Sequence, residues 1–249
     1  MDERSIELEV EVAGTPAQVW EAIATGPGIS SWYVPTTVDG AVGGIITQSF
    51  GPGMDTAGEV EAWDPPRRIR YGKAGEMAFE FLVEARDGGT CVVRFVNSGF
   101  GGSDWDDQFD AMEQGWRLFL HHLQLHLAHF AGQAATPLLP TAMSSSGRGA
   151  TWAQATAALG VDEAPAVGER VVATGAPAPF AGEVTRSAPG FLSLLLDQPA
   201  PGTAFVAAEG GDDGCALSVW LYLYGDDAPA VVARDQPKWD RWLADLTGS

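Results

Sequence analysis

Hydrophobic and polar residues alternate without a break from 5 to 12, with Ile6, Leu8, Val10 and Val12 on one face and Glu7, Glu9 and Glu11 on the other. A period of two predicts a half-buried strand. The next segment, Thr15-Pro16-Ala17-Gln18, offers a hydroxyl at the cap, a proline at the first helical position and a glutamine three residues after the cap. These predict a helix from Pro16 to about Ala24, stopped by Gly26-Pro27-Gly28, with a short second helical turn over 29–32. Strand-like runs follow at 45–50, 57–63, 68–71, 77–84 and 90–97, separated by turn formers such as Gly51-Pro52-Gly53 and Asp87-Gly88-Gly89. Such spacing predicts an antiparallel meander. Near Asp106 the period becomes helical, and Phe109, Met112, Trp116, Leu120, Leu123, Leu127 and Phe130 fall on one stripe about seven turns long.

The pattern then restarts. At an offset of about 124 residues, 42–101 finds a counterpart in 167–225: Gly58-Glu59-Val60 meets Gly182-Glu183-Val184, Pro65 meets Pro189, Cys91 meets Cys215, and Phe100-Gly101 meets Tyr224-Gly225. One residue further adrift, Trp116, Phe119, Leu120 and Leu123 meet Trp239, Trp242, Leu243 and Leu246. A repeat of this length predicts two similar domains. The intervening 131–150 is rich in small residues, proline and serine, the composition of a linker. The second copy is expected to begin with a helix at 152–159 and to run through strands at 170–174, 183–187, 191–196, 204–208 and 216–224. It should close on a helix at 229–246, and its opening strand and helix pair read as missing. The expected domains are thus a complete one at 1–130 and a truncated one at 151–249.

The segments Thr15-Pro16-Ala17-Gln18-Val19-Trp20, Trp32-Tyr33-Val34-Pro35, Trp63-Asp64-Pro65-Pro66 with Arg70-Tyr71, and Gly115-Trp116 follow one another in a recognisable order. In them the first half, about 4–130, resembles the START-like (SRPBCC) superfamily, in the branch similar to the heat-shock-protein-90 ATPase activator homologue. The resemblance implies an α+β helix-grip fold, an antiparallel sheet wrapped on a long C-terminal helix, with a second truncated copy of the same fold. It departs from the pattern in an expanded turn, Ser98–Ser103, and in the degenerate second copy, which is expected to pack against or cover the first rather than repeat its activity.

In a helix-grip domain the space between sheet and long helix is a cavity. Its expected walls are Trp32, Tyr33, Phe50, Trp63, Tyr71, Phe79, Phe81, Phe95, Asn97, Phe109, Met112, Trp116 and Leu120. The alternative is that these aromatics fill one another's space. An open aromatic cavity suits a small apolar or aromatic ligand, and the resemblance adds a protein partner through an activator-like accessory role. The relatives with cyclase or dehydratase activity suggest an enzyme on an aromatic polyketide-type substrate as the alternative, with Asn97, Tyr33 and Tyr71 as its polar groups. No inward carboxylate or imidazole is evident to complete an acid/base pair, so no catalytic residue is assigned.

Charge and composition narrow the partners. The formal charge of −19 divides into −12 over 1–130 (8 basic, 20 acidic) and −7 over 131–249 (6 basic, 13 acidic). Both halves would repel a polyanion, so nucleic acid and anionic membrane surfaces are poor partners. No apolar run reaches the ~18 residues of a membrane span, and Met1-Asp2-Glu3-Arg4 carries no export signal, so the expected location is cytoplasmic. Cys91 and Cys215 read as buried core residues rather than reactive thiols. All four histidines, His121, His122, His126 and His129, lie on the long helix; three share a face that reads as solvated. Asp104–Asp107 reads as an acidic helix cap rather than a calcium loop. No metal or cofactor is expected.

Overall fold

The computed structural model describes residues 4–51, 53–73, 77–100 and 106–248, and the chain divides into two compact units, 1–134 and 135–249.

The first unit opens with β1 (Arg4–Ala13), whose alternating faces are buried at Ile6, Leu8 and Val12. Helix α1 (Pro16–Ala24) begins as its sequence requires. The Thr15 hydroxyl accepts from the Gln18 amide and the Gln18 side chain accepts from the Thr15 amide at 2.9 Å, a reciprocal cap of about 1 kcal/mol. Gly26-Pro27-Gly28 does not stop the helical run. It forms the first turns of α2 (Gly26–Ile29), because the Thr25 hydroxyl caps the Gly28 amide and Pro27 occupies an early position where no N–H is needed.

Strands β2 (Thr36–Val38), β3 (Ile45–Ser49), β4 (Asp55–Asp64), β5 (Arg68–Gly72), β6 (Ala78–Arg86) and β7 (Thr90–Phe100) form a seven-stranded antiparallel sheet with β1, in the order β1-β7-β6-β5-β4-β3-β2. The expanded turn expected from Ser98 is in part strand, since β7 continues through Phe100 to pair with Arg4. The remainder of that turn, with Asp104 and Trp105, lies outside the described residues. Helix α3 (Asp106–His129) closes the unit, and Trp116 packs on Phe95 of β7 with ring centroids 4.1 Å apart.

The second unit corrects the linker expectation. Within 131–150 the chain forms β8 (Thr136–Leu138), β9 (Thr141–Ser144) and the start of α4 (Arg148–Leu159), and both strands pair with β14 (Cys215–Leu223). They occupy the place that β1 holds beside β7, so the opening strand is present, interrupted around Pro140. The sheet continues through β10 (Arg170–Val172), β11 (Ala181–Ala188), β12 (Phe191–Gln198) and β13 (Gly202–Gly210) in the order β10-β11-β12-β13-β14, and α5 (Ala228–Thr247) ends the unit. A partner for the outer edge of β10, the place of β2 in the first unit, does not occur among the described strands.

The two sheets share a defect as well as an order. Register slips between Val60 and Ala62 where β4 meets β5, and between Val184 and Arg186 where β11 meets β12. Bulges are local features fixed by the backbone around them. Around them Val60 exchanges hydrogen bonds with Gly43 and Gly44, and Val184 with Gly168 and Glu169. A shared bulge with shared outside bonds marks the units as copies of one fold.

Candidate functional site

A cavity of about 470 Å³ opens in the first unit between the sheet and α3, within the ~300–1,000 Å³ typical of small-molecule sites. Strands β3 to β5 form one wall with Ile46, Gln48, Thr56, Ala57, Gly58, Tyr71, Gly72 and Lys73. Met77 and Phe79 follow at β6, α3 supplies Met112, Gly115, Trp116 and Phe119, and Tyr33 and Phe50 complete the lining. Two glycines help to keep the space open. A Cβ on Gly72 would sit 2.7 Å from the Ala78 Cβ, so neither a methyl nor anything larger fits there, and a Cβ on Gly58 would sit 3.0 Å from the Gly72 carbonyl oxygen.

Of the thirteen expected wall residues, Tyr33, Phe50, Tyr71, Phe79, Met112 and Trp116 line the cavity. Trp32, Phe81, Phe95 and Leu120 do not. They are buried at 1%, 1%, 0% and 1% exposure and fill the adjoining core, where Trp32 meets Phe81 edge-on at 6.2 Å and Phe81 meets Phe95 at 5.0 Å. Trp63 lies away from the cavity, edge-on to Trp20 at 5.0 Å. Phe109 is half-buried and outside the lining. Asn97 shares the inward parity expected of it and is fully buried, but it too is outside the lining. Its amide donates to the Ala78 carbonyl at 3.2 Å, and its Oδ1 has no hydrogen-bond partner among the described residues.

The polar groups of the cavity are neutral. Gln48, buried on β3, donates from Nε2 to the Tyr71 hydroxyl at 3.4 Å. Burial pushes both phenols well above the ordinary tyrosine range; for Tyr33 the neighbouring Tyr71 adds to the shift, and for Tyr71 the Gln48 bond offsets part of it. Both therefore stay protonated across the whole working pH range. Lys73, the charged residue among the described lining, is exposed at the rim. Gln48, Phe119 and Lys73 escaped sequence reasoning. The alternation of β3 around Ile46 marks Gln48 as inward, and that was the usable signal. The small residues at 57, 58 and 72 carry none, because a residue without bulk has no pattern.

The histidines differ from their expected solvated face. His122 and His126 are 0% and 2% exposed, whereas His129 is exposed and His121 half-buried. Helix α3 is buried around more of its girth than its apolar stripe implies, since Leu118 and Leu125 are buried together with Trp116, Leu120 and Leu123. Burial lowers the His126 pKa from 6.5 to about 4, leaving a neutral imidazole at neutral pH. It borders a smaller hollow of about 270 Å³ with Glu21, Thr25 and Gln133. Among the described residues no cluster of three metal-ligating side chains occurs. Cys91 and Cys215 are free and buried; burial raises the Cys91 pKa and its Sγ lies 3.4 Å from the Gly14 carbonyl, the setting of an inert thiol. No helix among the described residues is long and apolar enough to cross a membrane.

Comparison with known proteins places this geometry. Residues 13–128, just under half of the chain, match the family described as activator of Hsp90 ATPase homolog 1-like protein. A structural-genomics protein from Mesorhizobium loti is 22% identical, covering 51% of this chain and 98% of its own, with a TM-score of 0.46. The Aha1 dimer from Colwellia psychrerythraea is 21% identical over 50% of this chain and 96% of its own, with a TM-score of 0.44. DynU16, a putative protein in the dynemicin biosynthetic locus, is 15% identical over 98% of both chains, with a TM-score of 0.43. No curated protein matches the chain. The family match covers the first unit, and the strand order and bulge that both units share mark the second as a further copy of the same α+β fold.

Proposed function

We propose that the first unit is a non-enzymatic binding module for a small apolar or aromatic ligand, held between the sheet and α3, and that the second unit is an accessory copy without that task. The observation that carries the reading is the cavity itself, lined by Tyr33, Phe50, Tyr71, Phe79, Trp116 and Phe119. Aromatic walls supply large contact area at small cost in side-chain freedom. Binding is favoured over a cyclase- or dehydratase-like reaction because a general acid or base works best when its pKa lies near the working pH. The described lining offers two phenols held far above that range and an exposed lysine, with neither carboxylate nor imidazole. The family match supports a second reading, an accessory role toward a protein partner. Its candidate contact surface is the exposed apolar group Val42, Ile45 and Met54 around β3 and the turn after it.

An environment-sensitive apolar dye tests the first reading. Dye fluorescence should rise on binding and be competed by polycyclic compounds. Met112→Trp, which places an indole in the cavity from a half-buried position, should abolish the rise while leaving the thermal transition in place. A wild type that leaves the dye unchanged, or a Met112→Trp variant that binds it equally well, would sink the reading.

A further inference from the structure

Two tyrosines lining the cavity carry hydroxyls that can still donate a hydrogen bond. Tyr33 lines it at 6% exposure, and among the described residues its hydroxyl has no hydrogen-bond partner. Tyr71, 3% exposed, accepts from Gln48 and so uses a lone pair, leaving its own O–H uncommitted. A hydroxyl is both donor and acceptor, so each of these can donate to a polar atom that enters the cavity. The surrounding rings are flat: Tyr33 lies 5.0 Å from Trp116 at 31° and Tyr71 lies 5.4 Å from Phe79 at 40°. Aromatic walls with two hydroxyl donors suit a flat molecule that carries an oxygen acceptor at its edge.

We infer that the ligand is an uncharged aromatic ketone or related carbonyl compound, its rings among the aromatic side chains of the lining and its oxygen receiving hydrogen bonds from Tyr33 and Tyr71. The inference rests on the binding reading above. A carboxylate fits the same donors less well, because the inner polar groups are neutral and the lysine stands at the exposed rim, so the anion would lose its hydration without a counter-charge beside it. A plain hydrocarbon fits less well for the opposite reason, since it would cover both hydroxyls with nothing to accept their protons. Fatty acyl chains lack the flat face. Selectivity among ligands of equal size then comes from the two phenols, as is general where a site is built to bond a polar atom.

Three naphthalenes of nearly equal size separate these alternatives: acetylnaphthalene, with a conjugated carbonyl; isopropenylnaphthalene, in which a methylene replaces the oxygen; and naphthoate, which is anionic. Their affinities for the full chain are measured by quenching of tryptophan fluorescence, since Trp116 lines the site. The ketone should bind about tenfold more tightly than either of the others, the equivalent of about one good buried hydrogen bond. Tyr71→Phe, which keeps the ring, should lower ketone affinity about tenfold and leave the hydrocarbon unchanged. Tyr33→Phe should act in the same direction, so that a folding defect in one variant does not remove the test. If the hydrocarbon binds as tightly as the ketone and both Phe variants leave the ketone unaffected, binding stands and the carbonyl assignment falls. Preference for naphthoate overturns it equally. If none of the three binds and the dye also fails to bind, the cavity reading falls with it.

Discussion

Across the first unit's sheet, Tyr71 of β5 stands opposite Phe79 of β6, which stands opposite Asn97 of β7. Across the second unit's sheet, Leu194 of β12 stands opposite Ala204 of β13, which stands opposite Leu221 of β14. The shared bulge makes these the same three places in the fold. One step further out, Gln48 of the first unit corresponds to Ala173 near the end of β10, counted from the paired residues Ile45–Glu59 and Arg170–Glu183. The second unit keeps its strand order and its core with aliphatic residues where the first has two aromatics and two amides. Its core is one cluster around Leu138, Trp152, Leu194, Val219, Leu221 and Trp239. The fold therefore does not need Gln48, Tyr71 or Asn97. Buried polar groups weaken a domain unless they are matched, so the place of Gln48 and Tyr71, which line the cavity, is to be sought in what the first unit binds.

The sharpest way to break this comparison is to truncate the same tryptophan in each copy. Trp239 is fully buried and meets Phe180 at 5.5 Å, inside the closed aliphatic core. Trp239→Ala should cost the second unit about 3–5 kcal/mol, the usual range for a large aromatic lost from a packed core. Trp116 has the cavity on one side. Trp116→Ala should cost the first unit less, about 2 kcal/mol, because the space it leaves adjoins a cavity that is already open. Scanning calorimetry of the full chain reads both. Equal losses would show that the first unit's core is as closed as the second's.

The long helices differ in a second way that pH can expose. Helix α3 buries a base, His126, held neutral; α5 buries an acid, Asp235, held charged by Arg234 at 2.5 Å and Lys238 at 2.7 Å. The imidazole's folded pKa of about 4 lies below the unfolded value of 6.5. In that window the unfolded chain binds more protons, so the stability this histidine contributes is full above pH 6.5 and fades as pH falls toward 4. Between pH 6.5 and 5 the first unit should lose about 2 kcal/mol on this account, at ~1.4 kcal/mol for each unit of pH. The Asp235 carboxyl, held below its ordinary range first by the Arg234 hydrogen bonds, contributes stability that is lost only below the usual aspartate pKa. Lowering the pH from 7 to 5 should therefore lower the first unit's transition and not the second's, where the Glu209 carboxyl, its pKa raised by burial, acts in the opposite direction, and His126→Gln should flatten the first unit's response. A first unit indifferent to pH in the wild type would mean that His126 is solvated, as its helical spacing alone suggests.

That histidine shows where sequence reading stops. The box at Thr15–Gln18 fixes α1 to the residue, because a cap is a local event, and the strands of the meander sit within a few residues of their alternating runs. The repeat was legible because Gly58-Glu59-Val60 and Gly182-Glu183-Val184 mark a bulge whose backbone demands are the same in both copies. Strands β8 and β9 were not legible. They are three and four residues long, pair on one side with β14 and are interrupted around Pro140, so neither alternation nor length announces them. The apolar stripe leaves His122 and His126 on a face that reads as solvated, because a stripe shows which residues are apolar, not how much of a helix its neighbours cover. The cavity walls were half legible. Inward parity located Tyr71, Phe79 and Trp116, but Phe81 and Phe95 share it and are taken up by the core, a division that depends on how far α3 stands from each strand.

Asn97 allows the finest test of the comparison. Its Nδ2 is bonded to the Ala78 carbonyl, whereas its Oδ1 is buried without a partner among the described residues, and the matching residue of the second copy is Leu221, 0% exposed. Asn97→Leu removes the unmatched oxygen at the cost of one amide bond of 3.2 Å to a carbonyl. A neutral hydrogen bond contributes about 1 kcal/mol, whereas an unsatisfied buried polar atom costs roughly 1–3 kcal/mol, and leucine adds apolar contact in the place of the amide. The net should be a first unit more stable by about 1 kcal/mol, read as a rise in its denaturant midpoint with an unchanged slope. Because Asn97 does not line the cavity, dye and ketone binding should persist in the variant. A variant that gains stability and keeps binding would place Asn97 outside the site. One that gains stability and loses binding would show that this amide supports the cavity from behind its wall, at a cost that the second copy, with leucine there, does not carry.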